Sequence, residues 1–514
     1  MSIIASDVNA ILKYSLNAIN PYQLLRSALL YQSDNTLCVQ GRAYKLRNNV
    51  KLIAAGKAVG GMVRAVQDLI GDHVIKGVVS LPLGYTDTFK NRKDLYPLPS
   101  PKVNIFEGGK DNLPDEQSLT ASRAIYQLAD GASIDELIIV LLSGGASTLT
   151  SLPISGLSID NKRFICSSLS QRGASINELN TVRKHVSLLK GGKLVQLCQP
   201  AEVLTLILSD VINDPLDIIA SGPCYPDSST GAEFLAILHK YEITSLISRS
   251  IIDSILQTSS YRYPPLVSTP QHVIVGNNKL ALDGAMEYAI KLGYDGFIWS
   301  SKVSGSVVEV ASFYAAFILH SVLCIFPHDK IGLKHEAMER CLKVLGISST
   351  EDSITIQSLY ESYHEILTSV SSEKVCLLSG GEPVVKVKGD GKGGRNQELS
   401  LRVGINLDLI YDNFSCILDG IVNLEKFREF WDLISIEFAS VGTDGQDGPT
   451  PVAGAKLSQK FMRDNEKYRD FIHSSLSRND SFTLFSKLGY EQYLIHTELT
   501  GTNVMDIHLI LISV

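Results

Sequence analysis

Several short runs of consecutive apolar residues break off at glycine or at an acid, and they constrain the fold more than any other feature of the chain. Glu136 to Thr148 reads ELIIVLLSGGAST, Val203 to Asp210 reads VLTLILSD, and Lys51 to Ala58 reads KLIAAGKA. A strand with one wet face alternates apolar and polar residues. A strand apolar at every position must be covered on both faces, as in a parallel sheet flanked by helices. Val74 to Leu81 and the HVIVGNN segment (272–278) extend the series, and amphipathic helical patterns lie between the runs. The alternation predicts parallel α/β sheets, and 514 residues are too many for one core. The Pro-rich stretch YRYPPLVSTP (261–270) marks a seam. We therefore expect an N-terminal domain over 1–262, Rossmann-like in its parallel sheet, and a C-terminal region over 270–514. The latter holds a smaller α/β domain at about 375–510, and the site is expected in the cleft between the two.

Ligands of open α/β sheets gather at strand C-terminal ends, so the residues just past each run are the candidates. Lys57 follows Gly56 and opens a helix pattern, where its charge opposes the helix dipole unless an anion is bound. Ser143, Gly144, Gly145 and Ser147 follow the 136–142 run, and LLSGG recurs at 377–381, which suggests two strand-turn devices of one design. After the second, Pro383 to Val387 reads as a short β-branched strand. A loop with Gly389, Gly391, Gly393 and Gly394 then leads into a helix from Asn396. Bare amides flanked by Lys386, Lys388, Lys392 and Arg395 and feeding a helix N-terminus suit an anion, phosphate above all. Asp210 ends a strand and Asp214 lies in the loop beyond it, a pattern that often holds Mg²⁺ through oxygen. Asp444 and Asp447 stand in a Gly/Asp loop after a strand at 438–442, and MDIHLILISV closes the chain as a strand.

Other classes fit poorly. A net charge of −7 offers no basic face for nucleic acid. The eight cysteines form no C-x-x-C pair, which points to reduced thiols rather than disulfides or zinc. The N-terminus has no secretory signal pattern, and the apolar run 310–326 is short for a membrane span and reads as a core helix. The expectation is a cytoplasmic protein with no membrane partner. The 300–370 region reads as mainly helical.

Taken together, the motifs resemble class II glycerate kinases, the family whose C-terminal part is called the MOFRL domain. The segments that carry the resemblance are AAGKA (54–58), LLSGGAS (141–147), INELNTVRKHVSLLKGGKL (176–194), LSDVINDPLDIIASGP (208–223), VGNN (275–278), LLSGGEPVV (377–385), GDGKGGRNQEL (389–399), VGTDGQDGPTPVAGA (441–455) and TGTNVMD (500–506). They span nearly the whole chain in the family's order. Lys110 stands where many relatives carry His, and Glu498-Leu499 replaces a usual Gly-Pro pair.

The resemblance implies ATP- and Mg²⁺-dependent phosphorylation of D-glycerate to 2-phosphoglycerate, by a monomer or homodimer. It implies that Lys57 and Arg395 matter most. The needs of phosphoryl transfer make Asp210 or Asp444 the candidate to hold Mg²⁺ or to orient the attacking hydroxyl, with the two roles left open between them. Two other readings compete. Gly389, Gly391 and Gly394 fit G-x-G-x-x-G, as an NAD(P)-dependent hydroxypyruvate reductase would require, but the preceding residues alternate in charge instead of forming a buried strand. A non-catalytic nucleotide or sugar-acid sensor on the same fold would have less need of the full set of charged motif residues.

Overall fold

The computed structural model describes residues 3–110, 113–260, 265–327, 334–347 and 372–514. Helical expectations for 348–370, and the start of the Pro-rich seam at 261–264, lie outside the described residues. The chain forms two compact units. One comprises Asn20–Asn277 with Gly501–Val504, the other Met1–Ile19, Asn278–Thr500 and Met505–Val514. This differs from the expected 1–262 and 270–514. The first helix, Ile3–Ala18, packs on Asn278–Lys291 of the later unit, where Ser15 donates to the Ala281 carbonyl at 2.6 Å. Residues 501–504 return to the earlier one.

Beside a small three-stranded sheet within residues 30–45, the Asn20–Asn277 unit is built on a six-stranded sheet of β1 (Val50–Ala55), β2 (Val74–Pro82), β3 (Val103–Gly108), β4 (Leu137–Leu142), β5 (Glu202–Leu208) and β6 (Gln271–Gly276). Their order is β3-β2-β1-β4-β5-β6 with every pair parallel, the doubly wound Rossmann arrangement. All six residues of β1 and of β4 are buried, as an apolar run without alternation requires. Each large aliphatic side chain so covered contributes on the order of 1.5–3 kcal/mol. The order reverses between β1 and β4, so the crevice at their C-terminal ends is the switch point where such sheets bind ligands.

The second unit departs from expectation. Its strands are β7 (Asp295–Val303), β8 (Lys374–Gly381), β9 (Ser435–Gly442), β10 (Gly454–Ser458), β11 (Leu494–Ile495) and β12 (Asp506–Ser513), in the order β7-β8-β12-β9-β10-β11. Among the described residues only β7 and β8 run parallel; every other pair of these strands is antiparallel. The cause is β12, which inserts between β8 and β9 against the direction of both, a pairing that needs no crossover helix. Ser379-Gly380-Gly381 is therefore not a turn. It pairs residue for residue with His508, Ile507 and Asp506 inside the sheet. Pro383 to Val387 forms no strand either: Val384 makes one isolated bridge to Ser306, and Val384 and Val387 are exposed. The Val307–Ile325 helix is long and apolar enough to cross a membrane, yet Val310 to Leu323 is buried at every position. It packs against the Arg395–Asp412 helix and the sheet, which explains why it is apolar on all sides.

Candidate active site

At the switch point the loops after β1 and β4 are stitched together. The Lys57 amide donates to the Gly144 carbonyl at 2.8 Å, and the Ala58 amide to Ser143 Oγ at 2.9 Å. Gly56, at φ +139°, permits this approach, because a Cβ there would lie 2.1 Å from Ser143 Oγ. Gly144 is packed as closely from the β5 side: its Cβ would lie 2.0 Å from Asp210 Oδ2 and 2.7 Å from Asn503 Nδ2. Asn503 in turn donates to Asp210 Oδ2 at 3.0 Å. Gly145, at φ +81°, turns the chain into a short helix, Ala146–Leu149, and its Cβ position is 3.2 Å from Lys57 Cγ. Lys57, Ser143, Gly144, Gly145 and Asp210 thus form one cluster. Among the described residues the amides of Gly144 and Gly145 donate to no protein acceptor, which leaves two N–H groups beside a lysine at a strand end.

The serines of this loop are occupied differently from expectation. Ser143 is buried and its Oγ accepts from Ala58, while Ser147 Oγ turns to Ser221 Oγ at 3.1 Å. Both side chains shape the loop, so among the described residues its donors without a protein acceptor are the glycine amides. Sequence reading missed the residue that holds Ser147. Lys190 is wholly buried and donates to the Ser147 carbonyl at 2.7 Å, Ser147 Oγ at 3.2 Å and Thr150 Oγ1 at 3.4 Å. Burial pushes its ammonium well below the usual lysine pKa. Ser221 donates to Asn180 Oδ1 at 3.0 Å and sits at φ +61° beside Ala220 at φ +54°. Left-handed backbone on two such residues costs on the order of 1–3 kcal/mol each and persists only where its surroundings impose it. Asp214, at φ +52°, accepts from Asn277 Nδ2 at 2.6 Å.

In the second unit the glycine loop is only partly the bare cradle expected. The amides of Lys388 and Gly389 donate to Asn479 Oδ1, that of Gly391 to the Arg478 carbonyl and that of Lys392 to Asp480 Oδ1. Glycines are needed because this segment lies against the loop: a Cβ on Gly389 or Gly391 would fall within 2.5 Å of the Arg478 carbonyl oxygen. The helix N-terminus already holds an anion, the carboxylate of Asp447. It accepts from the amides of Asn396 and Gln397 at 3.0 and 2.9 Å and from both their side chains at 3.2 and 2.9 Å. A Cβ on Gly394 would meet Asp447 Cγ at 2.2 Å. The amides of Gly393, Gly394 and Arg395 remain without a protein acceptor among the described residues.

Arg395 begins the Arg395–Asp412 helix, and its bidentate edge is turned inward. Nε and Nη2 grip the two oxygens of Asp506 at 2.6 and 2.9 Å, and Nη1 pairs with Glu382 at 2.9 Å. Asp506 has no exposure, and burial raises its carboxyl to about 6 against the opposing pull of Arg395. His508, on the same face of β12, bonds Tyr314 Oη at 2.6 Å and is held down to about 3 by burial and by the Arg395 charge, so it is neutral at physiological pH. Asp444 Oδ1 accepts from the Gln446 amide at 3.1 Å and lies 3.5 Å from the Cβ position of Gly442, which Asn396 Nδ2 flanks at 3.6 Å. Arg395, Asn396, Asp444, Asp447 and Asp506 therefore share one neighbourhood. The G-x-G-x-x-G match is not a dinucleotide fingerprint. β8 ends at Gly381, and residues 382–394 form an open loop instead of a tight strand-helix turn.

A doubly wound sheet with unpartnered glycine amides and a lysine at its switch point belongs to the class that binds phosphorylated small molecules. Comparison with known proteins narrows the class. Residues 7–256 match a family model described as a domain of unknown function (DUF4147), and residues 375–506 match the MOFRL family. The chain is 37% identical to glycerate kinase of Mus musculus over 99% of its own length and 93% of that protein. It is 31% identical to D-glycerate 2-kinase of Thermotoga maritima over 90% of each. The crystal structure of glycerate kinase from Thermotoga maritima superposes with a TM-score of 0.72 at 30% identity, covering 99% of both chains. The chain belongs to the MOFRL-containing glycerate kinase family.

Proposed function

We propose that this protein transfers the γ-phosphoryl group of ATP to the 2-hydroxyl of D-glycerate, yielding ADP and 2-phosphoglycerate. Family membership supports the reaction class. The observation that carries the site assignment is the pair of unpartnered amides at Gly144 and Gly145 beside Lys57. In the transfer, the 2-hydroxyl oxygen forms a bond to phosphorus, the bond from phosphorus to the β-γ bridging oxygen breaks, and the hydroxyl proton is lost. The protein's task is alignment and charge neutralisation, with little covalent chemistry.

In this reading the Gly144 and Gly145 amides and Lys57 hold anionic oxygens of the substrates. Arg395, fixed by Asp506, presents its outer N–H groups to the transferring phosphoryl, while the amides of Gly393 to Arg395 bind a second anion. Asp444 orients the acceptor hydroxyl. Among the described residues no group of three or more His, Cys, Asp or Glu side chains gathers around a common point. The chemistry present fits Mg²⁺ that arrives with the nucleotide, since this ion commonly takes one or two carboxylates and fills its shell with phosphate and water. Asp210 is the stronger ligand candidate and Asp214, already bonded to Asn277, the weaker. Bound there, Mg²⁺ would neutralise phosphate charge. Cytoplasmic residence and a monomeric or dimeric state complete the proposal; fractionation and light scattering check them.

The test is ADP release that depends on D-glycerate, measured beside NADH oxidation with hydroxypyruvate. The proposal requires the first activity and its loss in Lys57→Ala with the fold retained. Oxidation of NADH without ADP release would replace it with the reductase.

A further inference from the structure

The second unit contains a cavity of about 610 Å³ that the proposed reaction does not use. Its floor is the face of β9 and β10 that carries Glu437, Lys456 and Ser458, with Glu437 directly across from Ser458 and Lys456 across from Ala439. Ile4 and Ala5 of the Ile3–Ala18 helix form one wall, and Tyr493 at the end of the Ser481–Tyr493 helix another. Two charges are buried in it. Glu437 is 8% exposed, and among the described residues no hydrogen bond or ion pair reaches its carboxyl group. Lys456 is 3% exposed and, among the described residues, donates to two neutral acceptors, the Ala5 carbonyl at 3.2 Å and Asn9 Oδ1 at 2.9 Å. Its ammonium has a third N–H.

A buried carboxylate with no donor, near a lysine that no carboxylate contacts, is costly as it stands. The two groups line the same cavity without closing on each other. The arrangement complements a molecule carrying the opposite pair, an ammonium to meet Glu437 and a carboxylate to meet Lys456. Ile434, Ile436, Leu457 and Tyr493 add apolar wall for the remainder of such a molecule, and the volume is that of an ordinary metabolite site. We propose that this cavity is a binding site for a free α-amino acid with an uncharged side chain. Burial raises the Glu437 carboxyl to about 7 and lowers the Lys456 ammonium, in each case against the partial attraction of the other.

The test is saturation-transfer NMR on the full-length protein with each uncharged L-α-amino acid and, for any that binds, its decarboxylated amine. Saturable binding by at least one amino acid is expected, and at least tenfold weaker binding by the amine. Glu437→Gln and Lys456→Met should each weaken binding tenfold or more, while ATP-dependent turnover of D-glycerate stays at the wild-type rate. Ser435→Trp, at an exposed position on the rim, should block entry without touching the buried pair. If no amino acid binds, or binding is indifferent to all three substitutions, the proposal fails. Kinase activity is scored separately and can fail or stand independently.

Discussion

Replacing Asp506 by Asn separates activity from stability in a way the structure specifies. The wild-type carboxylate is fully buried and bonds Arg395 through two charge-assisted contacts at 2.6 and 2.9 Å. Asn keeps the shape, but it offers one acceptor and points an N–H₂ group at the guanidinium. A hydrogen bond to a charged group contributes about 1.5–3 kcal/mol. If Arg395 must be held to meet the transferring phosphoryl, kcat falls by ~10- to 100-fold. Stability responds to two opposing effects. The folded pKa of Asp506, about 6, lies above the ordinary 3.8, so the folded state retains a proton that the unfolded chain releases. That contribution is complete below pH 3.8 and is lost as pH rises through 6. Asn carries no charge to bury but gives Arg395 one acceptor in place of two, so at pH 8 the two effects oppose each other and the variant unfolds near the wild-type urea concentration while turning over slowly. Wild-type kcat should show an acid limb near pH 6 as Asp506 protonates and releases Arg395, and the variant should lack it. Steady-state kinetics across pH and urea unfolding at pH 8 measure both. Unchanged kcat, or an acid limb that survives in Asp506→Asn, would refute the reasoning.

Three further outcomes can be checked. Arg395→Lys keeps the charge but loses the planar fork, so kcat drops ~10²-fold or more in the coupled assay, and near-normal turnover would remove Arg395 from the chemistry. Gly144→Ala places a methyl group 2.0 Å from Asp210 Oδ2; loop displacement should cut kcat/KM by ~10²-fold, since misplacement near 1 Å has that effect. Glu437→Gln should raise stability at pH 8 by up to about 3 kcal/mol and leave it unchanged at pH 4. The wild-type carboxyl, raised to about 7 from 4.5, is favourable to folding below 4.5 and loses that advantage as pH rises through 7. Urea unfolding at the two pH values decides it, and equal stabilities at pH 8 would contradict it.

The N-terminal sheet was legible because its evidence is local: strands apolar at every position have one good explanation, and Lys57 and Gly144 stand where that explanation puts ligands. The second sheet was not, because strand order there depends on a pairing between residues 125 to 139 positions apart, from Gly381 with Asp506 to Lys374 with Ser513. LLSGG is the same string at 141–145 and 377–381. It turns in the first case, whereas in the second it is held extended by pairing with β12, a strand whose partner no local pattern announces. Pro383 to Val387 has β-branched residues but no neighbouring strand to pair with, and propensity yields to context. The glycine loop shows a different ambiguity. Glycine serves equally for approach to a ligand and for approach to the protein's own backbone, and here Arg478 and Asp447 account for much of the need. Asp506 was the clearest missed signal. An acid heading the apolar run DIHLILIS must be paired if buried, and an arginine in a family motif was the natural partner.

Phosphorus NMR of the product formed from ATP, Mg²⁺ and D-glycerate tests the central claim most directly. The account predicts a 2-phosphoglycerate resonance that grows with ADP and is absent with Lys57→Ala. A 3-phosphoglycerate resonance would keep the kinase but contradict the assigned acceptor position, and no phosphoryl transfer at all would contradict the account itself.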